Sequence, residues 1–154
     1  MNLKPNFVAI PLFTVVTAVV GGAITSAGMG WYKQLHLPSF TPPGSVIGTV
    51  WTILFVLATI SALIAYNAKW GKRKIAISQL FILNAILNVG WSLLFFGLHL
   101  AGPAIFEAFL LGLSVVALIV YIWPVSKFAS WLLVPYAAWV FFATFLTYSI
   151  YIRN

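Results

Sequence analysis

The side chains in this chain that could do chemistry are aromatic rings, amides and hydroxyls rather than acids and bases. Trp51 and Phe55 stand four apart, with Gly48 and Thr52 near the same face. Asn84, Asn88, Trp91 and Phe95 follow an i, i+4, i+7, i+11 pattern, and Tyr136, Trp139 and Ala143 an i, i+3, i+7 pattern. If each segment is helical, each set lies on one face. Between Trp31 and Gly44 runs a proline-punctuated stretch, WYKQLHLPSFTPPG, crowded with aromatic and hydrogen-bonding groups. Three such faces under such a loop are a sensible way to wall and cover a pocket.

Ordinary hydrolytic and metal chemistry has little raw material. The chain has one acid (Glu107), two histidines (His36 and His99) and no cysteine. A disulfide framework, a thiol nucleophile and a thiolate metal site are excluded, and no metal site is expected. A Ser–His–acid set would need Glu107 beside one particular histidine, which no spacing suggests. His36, in the loop, is more naturally polar surface than an axial ligand to haem iron. Glu107 is placed in the first turn of the fourth span, where the helix dipole favours an anion over a proton-coupling role.

The elements that must position these residues are membrane helices. Of 154 residues, 63% are hydrophobic and 6% charged, with a mean hydropathy of +1.08, against about 25% charged in a soluble domain. The net charge of +7 could suggest nucleic acid. However, Lys69, Lys72, Arg73 and Lys74 cluster between two apolar runs, as in a cytoplasmic loop over anionic lipid. Five apolar segments approach the roughly 20 residues a bilayer requires: 8–27, 46–65, 75–98, 104–123 and 131–150. In lipid the backbone must satisfy its own hydrogen bonds, so these are helices. The fold class is therefore an all-α membrane protein, a five-transmembrane-helix bundle in a single domain, 1–154, with a pocket-covering loop over 28–44.

Thr25-Ser26-Ala27 looks like a small-residue cleavage site, but the full-span apolar run favours a retained helix over a signal peptide. Lys4, the four clustered bases and Lys127 fall on one side, Lys33 and Arg153 on the other. The positive-inside rule then places the amino terminus in the cytoplasm and the Trp31–Gly44 loop outside.

Lipid alone does not explain every residue. Trp31, Trp70, Trp123 and Trp131 fit an interfacial belt, whereas Trp51, Trp91 and Trp139 lie deeper. The asparagine pair fits interhelical glue and a cavity wall equally well. On residue types alone, the deep tryptophans are better explained by bundle packing than by an aromatic box. Ala18, Gly22 and Ser26 form a small-residue stripe suited to close packing within or between protomers. Leu146, Tyr148 and Arg153 fit a proposed cholesterol pattern of low specificity.

Several separated motifs together resemble the TspO/MBR family, the tryptophan-rich sensory proteins and mitochondrial translocator (peripheral benzodiazepine receptor) proteins. Trp31-Tyr32, Leu37-Pro38-Ser39-Phe40 and Pro42-Pro43 resemble the family's first loop, and Trp51 its second-helix tryptophan. Asn88-Val89-Gly90-Trp91-Ser92 with Phe95-Phe96-Gly97 resembles its third-helix motif, and Pro135-Tyr136-Ala137-Ala138-Trp139 with Ala143 its fifth. The short termini resemble those of a bacterial-type member, in a bacterial cell membrane.

The resemblance implies a homodimeric five-helix bundle that binds protoporphyrin IX or haem and benzodiazepine-type ligands, with a role in porphyrin homeostasis or stress sensing. It implies no obligatory cofactor. The ligand-binding candidates it maps are Tyr32, Pro42, Trp51, Phe55, Asn84, Asn88, Trp91, Tyr136, Trp139 and Ala143. It also implies light- and oxygen-dependent degradation of protoporphyrin IX, with Trp51 and Trp139 as the reactive indoles. The alternative it offers is translocation of porphyrins or sterols. The family's fifth helix typically ends in two Leu-Asn pairs, where this chain has Leu146-Thr147 and Arg153-Asn154, which weakens the sterol role.

Overall fold

In a computed structural model, the structure describes residues 4–68 and 73–154. Lys69, Trp70, Gly71 and Lys72, and with them the first two of the four clustered bases, lie outside the described residues. The described chain is helical: α1 (Asn6–Tyr32), α2 (Gly44–Asn67), α3 (Arg73–Ser92, continuing as a π-helical turn Leu93–Gly97), α4 (Ala101–Ile122), α5 (Lys127–Trp131) and α6 (Val134–Tyr151). With α5 and α6 counted together, five helical stretches are long and apolar enough to cross a membrane. The five-span bundle is as expected, with two changes of outline.

The first change is at the loop. α1 does not stop at Ala27 but runs to Tyr32, so the connection is Lys33–Pro43 rather than 28–44. Gly28 is no helix breaker here. Its missing side chain lets α1 lie directly against the backbone of Phe96, and in lipid an interrupted backbone would lose hydrogen bonds that water cannot replace. Trp31 and Tyr32 therefore ride on the end of a helix. The second change is in the last span, which starts at Lys127 and breaks at Leu132–Leu133 before α6. Pro135 supplies no N–H, so it sits in the first turn of α6, where none is needed. The Ser61 hydroxyl donates to Ala129 O at 2.8 Å and the Ser130 hydroxyl to Ile119 O, which hold the break against α2 and α4.

α4 is the central helix. Leu111, Val115, Leu118 and Ile122 are buried against α6, α3 and α5. α1 is the most peripheral and leans two ways. Near its start, the Thr59 hydroxyl of α2 donates to the Thr14 hydroxyl at 3.0 Å. Near its end it packs on the π-helical turn, where Phe95 and Phe96 are both buried. Successive residues of an α-helix point about 100° apart, so the extra residue in this turn helps bring both rings inward. The turn ends at His99, which adopts a left-handed φ of 57° and stacks on Trp31 at 4.3 Å.

Glu107 lies beyond the first turn of α4, which begins at Ala101 and holds no acid there. Its carboxylate packs beside Gly90 of α3, so the first-turn position in the helix dipole expected for it does not hold. The Ala18–Gly22–Ser26 stripe is likewise not where α1 meets the bundle. The buried small positions are Thr17, Gly21 and Gly28, whereas Gly22 and Ser26 are exposed.

Candidate functional site

α1 leans on α2 at one end and on α3 at the other, and between them on the loop side is a cavity of about 510 Å³ walled by α1, α2, α3 and α6. That volume is within the range of about 300–1,000 Å³ typical of small-molecule sites. The three helical faces read from the sequence converge on it. Tyr32, Trp51, Phe55, Asn88, Trp91, Trp139 and Ala143 all line the cavity.

The walls are mostly aromatic. Trp51 lies 5.8 Å from Phe55 and meets Tyr136 edge-on at 6.0 Å. Trp91 stacks nearly parallel on Phe95 at 5.7 Å, with an interplanar angle of 3°. Trp139 lies 5.4 Å from Phe142. The indole N–H groups of Trp91 and Trp139 are buried and have no hydrogen-bond partner among the described residues. An unpaired buried donor costs free energy, and neither nitrogen has surface open to the cavity, so what the two indoles present to it is ring surface.

One polar network forms the floor. Asn88 Nδ2 donates to the Tyr136 hydroxyl at 3.1 Å, which donates to Asn84 Oδ1 at 3.0 Å. Asn84 Nδ2 then donates to the Ser114 hydroxyl at 2.9 Å, and that hydroxyl to Leu111 O at 2.7 Å. Both readings of the asparagine pair therefore hold. Asn84 is interhelical glue, tying α3 to α4 and α6, while Asn88 is glue on one side and cavity wall on the other. Asn84 and Tyr136 do not line the large cavity; they face a second one beyond the network. Phe55 borders both.

Pro42 lines neither cavity. The loop folds toward the end of α6, where Asn154 Oδ1 accepts from the His36 backbone N–H at 2.8 Å and Phe40 stacks on Phe145 at 5.6 Å. Pro42 is left in the turn just before α2 begins. His36 is exposed, sits at this latch and is not part of the cavity wall. Leu146 lines the cavity while Tyr148 is exposed, so the leucine and the tyrosine of the cholesterol-like pattern do not share a face.

Sequence reasoning missed Phe96, Phe142 and Met29 as cavity residues. Phe142 was within reach, since it continues the Trp139 face by three residues. Phe96 was not, because only the π-helical turn brings it inward.

Fold and site together define a class: an integral membrane protein of five spanning helices with an aromatic, ligand-sized cavity at the loop end of the bundle, lined by no residue of the Lys33–Pro43 loop itself. The TspO/MBR family profile matches residues 7–153, and the chain belongs to that family. It is 38% identical over 156 residues to the tryptophan-rich protein TspO of Archaeoglobus fulgidus, covering 100% of this chain and 99% of that one. It is 33% identical over 154 residues to the tryptophan-rich protein TspO of Bacillus cereus, covering 100% of both. The human translocator protein is 32% identical over 129 residues, which is 82% of this chain and 76% of that protein.

Proposed function

We infer that this protein binds a flat, apolar tetrapyrrole, protoporphyrin IX or haem, in the aromatic cavity between α1, α2, α3 and α6, as part of porphyrin homeostasis or stress sensing. One observation carries the reading: a cavity of about 510 Å³ walled by the rings of Phe55, Trp51, Trp91, Phe95 and Trp139. Flat rings offer π-faces to a macrocycle. The Asn88 amide on the cavity wall suits a polar group at the edge of such a ligand. The same walls suit benzodiazepine-type ligands, which carry aromatic rings and a carbonyl acceptor.

A light- and oxygen-dependent breakdown of bound protoporphyrin IX extends this reading. An indole against an excited macrocycle can exchange an electron with it, and Trp51 and Trp139 stand on separate walls of the cavity. The experiment compares the parent with Trp51→Phe and Trp139→Phe. Each variant binds porphyrin in the dark within about tenfold of the parent, a loss of 1.4 kcal/mol or less, but bleaches it more slowly under light at matched occupancy. Equal bleaching in all three removes the degradative role and leaves a binding protein.

The protein belongs, on this reading, in a bacterial cell membrane with its amino terminus cytoplasmic. Lys4, Arg73, Lys74 and Lys127 lie at one end of the bundle and Lys33 and Arg153 at the other, the asymmetry the positive-inside rule uses. A homodimer is part of the same reading, and chemical crosslinking in native membranes tests it. Translocation of porphyrins or sterols is the alternative. It would need a path past the Asn84–Tyr136–Asn88 network, which separates the two cavities.

A further inference from the structure

A second cavity, of about 350 Å³, lies beyond that network, between α1, α2 and α3 at the opposite end of the bundle. Its character differs from the first. Ala58, Ala62 and Ala85 make room by being small, and Phe13, Ile77 and Phe81 supply apolar surface. Among the described residues that wall it there is no tryptophan. Phe13 and Ile82 are exposed, so the crevice opens toward lipid.

Its mouth carries a charge. Lys74, on the first turn of α3, lines the crevice and is half-buried, with its ammonium 3.7 Å from the centre of the Tyr66 ring. No carboxylate reaches it among the described residues. The chain's one acid, Glu107, packs beside Gly90, sixteen residues further along the same helix and so about 24 Å away at 1.5 Å per residue. A partly desolvated ammonium at the rim of an apolar crevice calls for an anion. The cation–π contact with Tyr66 offsets only part of that cost. A long apolar slot with a cation at its mouth matches an amphiphile with one apolar tail and an anionic head.

We propose that this crevice holds one acyl chain of an anionic phospholipid from the surrounding leaflet, with the lipid phosphate on Lys74. The site is independent of the porphyrin reading, since it uses the other cavity and none of its tryptophans. The lipid braces α1 where it leans away from α3.

The test uses the full chain, stripped of lipid in a neutral detergent and titrated with dioleoyl phosphatidylglycerol or dioleoyl phosphatidylcholine, with bound lipid counted by native mass spectrometry. The parent holds one phosphatidylglycerol about fivefold more tightly than phosphatidylcholine, the gain expected from one lysine near an anionic headgroup. Lys74→Gln levels the two lipids, Ala62→Phe weakens both, and dihexanoyl phosphatidylglycerol, with tails too short to fill the crevice, fails to compete. Should Ala62→Phe fail to fold, Ala85→Phe and the chain-length comparison carry the same test. Equal affinity for the two headgroups in the parent overturns the proposal. So does an undiminished preference in Lys74→Gln, which would place the headgroup on other bases and leave Lys74 reaching for water along its own stem. Tight binding of the short-tailed lipid, or stoichiometric displacement of phosphatidylglycerol by oleate, overturns it as well.

Discussion

Replacing Gly28 by alanine adds one methyl group where α1 lies against the π-helical turn. The new Cβ would stand 2.3 Å from Phe96 O, 2.7 Å from Phe96 Cβ and 2.8 Å from Phe96 C. Two of those atoms are backbone, so no side chain can swing aside. Restoring ordinary contact requires α1 to retreat by roughly 1 Å. Overpacking of this kind costs about 1–3 kcal/mol, and a rigid neighbour puts this case in the upper half. Gly22→Ala is the control, since nothing lies within 4 Å of its added Cβ. Both variants gain the same helix propensity, about 1 kcal/mol, so their difference isolates the clash. That difference should be about 2–3 kcal/mol, or roughly 30- to 150-fold in the unfolding equilibrium. SDS titration of the purified protein in mixed micelles, followed by circular dichroism, measures it. Because Met29 and Tyr32 sit on the same stretch of α1, Gly28→Ala should also weaken porphyrin binding. Equal stability of the two variants would refute the close packing of α1 on Phe96.

Other outcomes follow from the same contacts. Tyr136→Phe removes the hydroxyl joining Asn84 to Asn88 and should cost about 1–2 kcal/mol in the same SDS titration, with partial relief because the Asn88 amide borders the large cavity. Asn154→Ala removes the latch to His36; it should cost about 1 kcal/mol or less and speed porphyrin dissociation in stopped-flow fluorescence. Gly22→Phe, at an exposed position on the cavity rim, should slow porphyrin association more than it changes dissociation, as a partly blocked opening would.

The fold was legible because lipid imposes a strict rule. A segment of about 20 apolar residues must be a helix, and five such segments leave few architectures. The face Asn84–Asn88–Trp91–Phe95 was legible for the same reason, since helical spacing needs no knowledge of neighbours. What spacing could not show is which neighbour each face meets. Asn84 and Tyr136 share faces with cavity residues, yet the hydrogen bonds they exchange turn them into a partition. The π-helical turn at Leu93–Gly97 has no simple sequence mark, so Phe96 was overlooked. Gly28 reads as loop in isolation, and only its contact with Phe96 reveals it as a helix-packing residue. Pro42 was misplaced because the loop folds toward the Asn154 end of the chain, a contact across 118 residues that no local pattern announces.

The central claim is that the aromatic cavity between α1, α2, α3 and α6 is the porphyrin site. Ala143→Trp fills that cavity from the α6 wall without touching the Asn84–Tyr136–Asn88 network. Dark titration with protoporphyrin IX, followed by quenching of protein fluorescence, measures the outcome directly. The parent should saturate at one porphyrin per chain, and Ala143→Trp, if its SDS unfolding matches the parent's, should lose at least about tenfold in affinity, a difference of 1.4 kcal/mol. Parent-like affinity in a stably folded Ala143→Trp would place the porphyrin elsewhere and contradict the account.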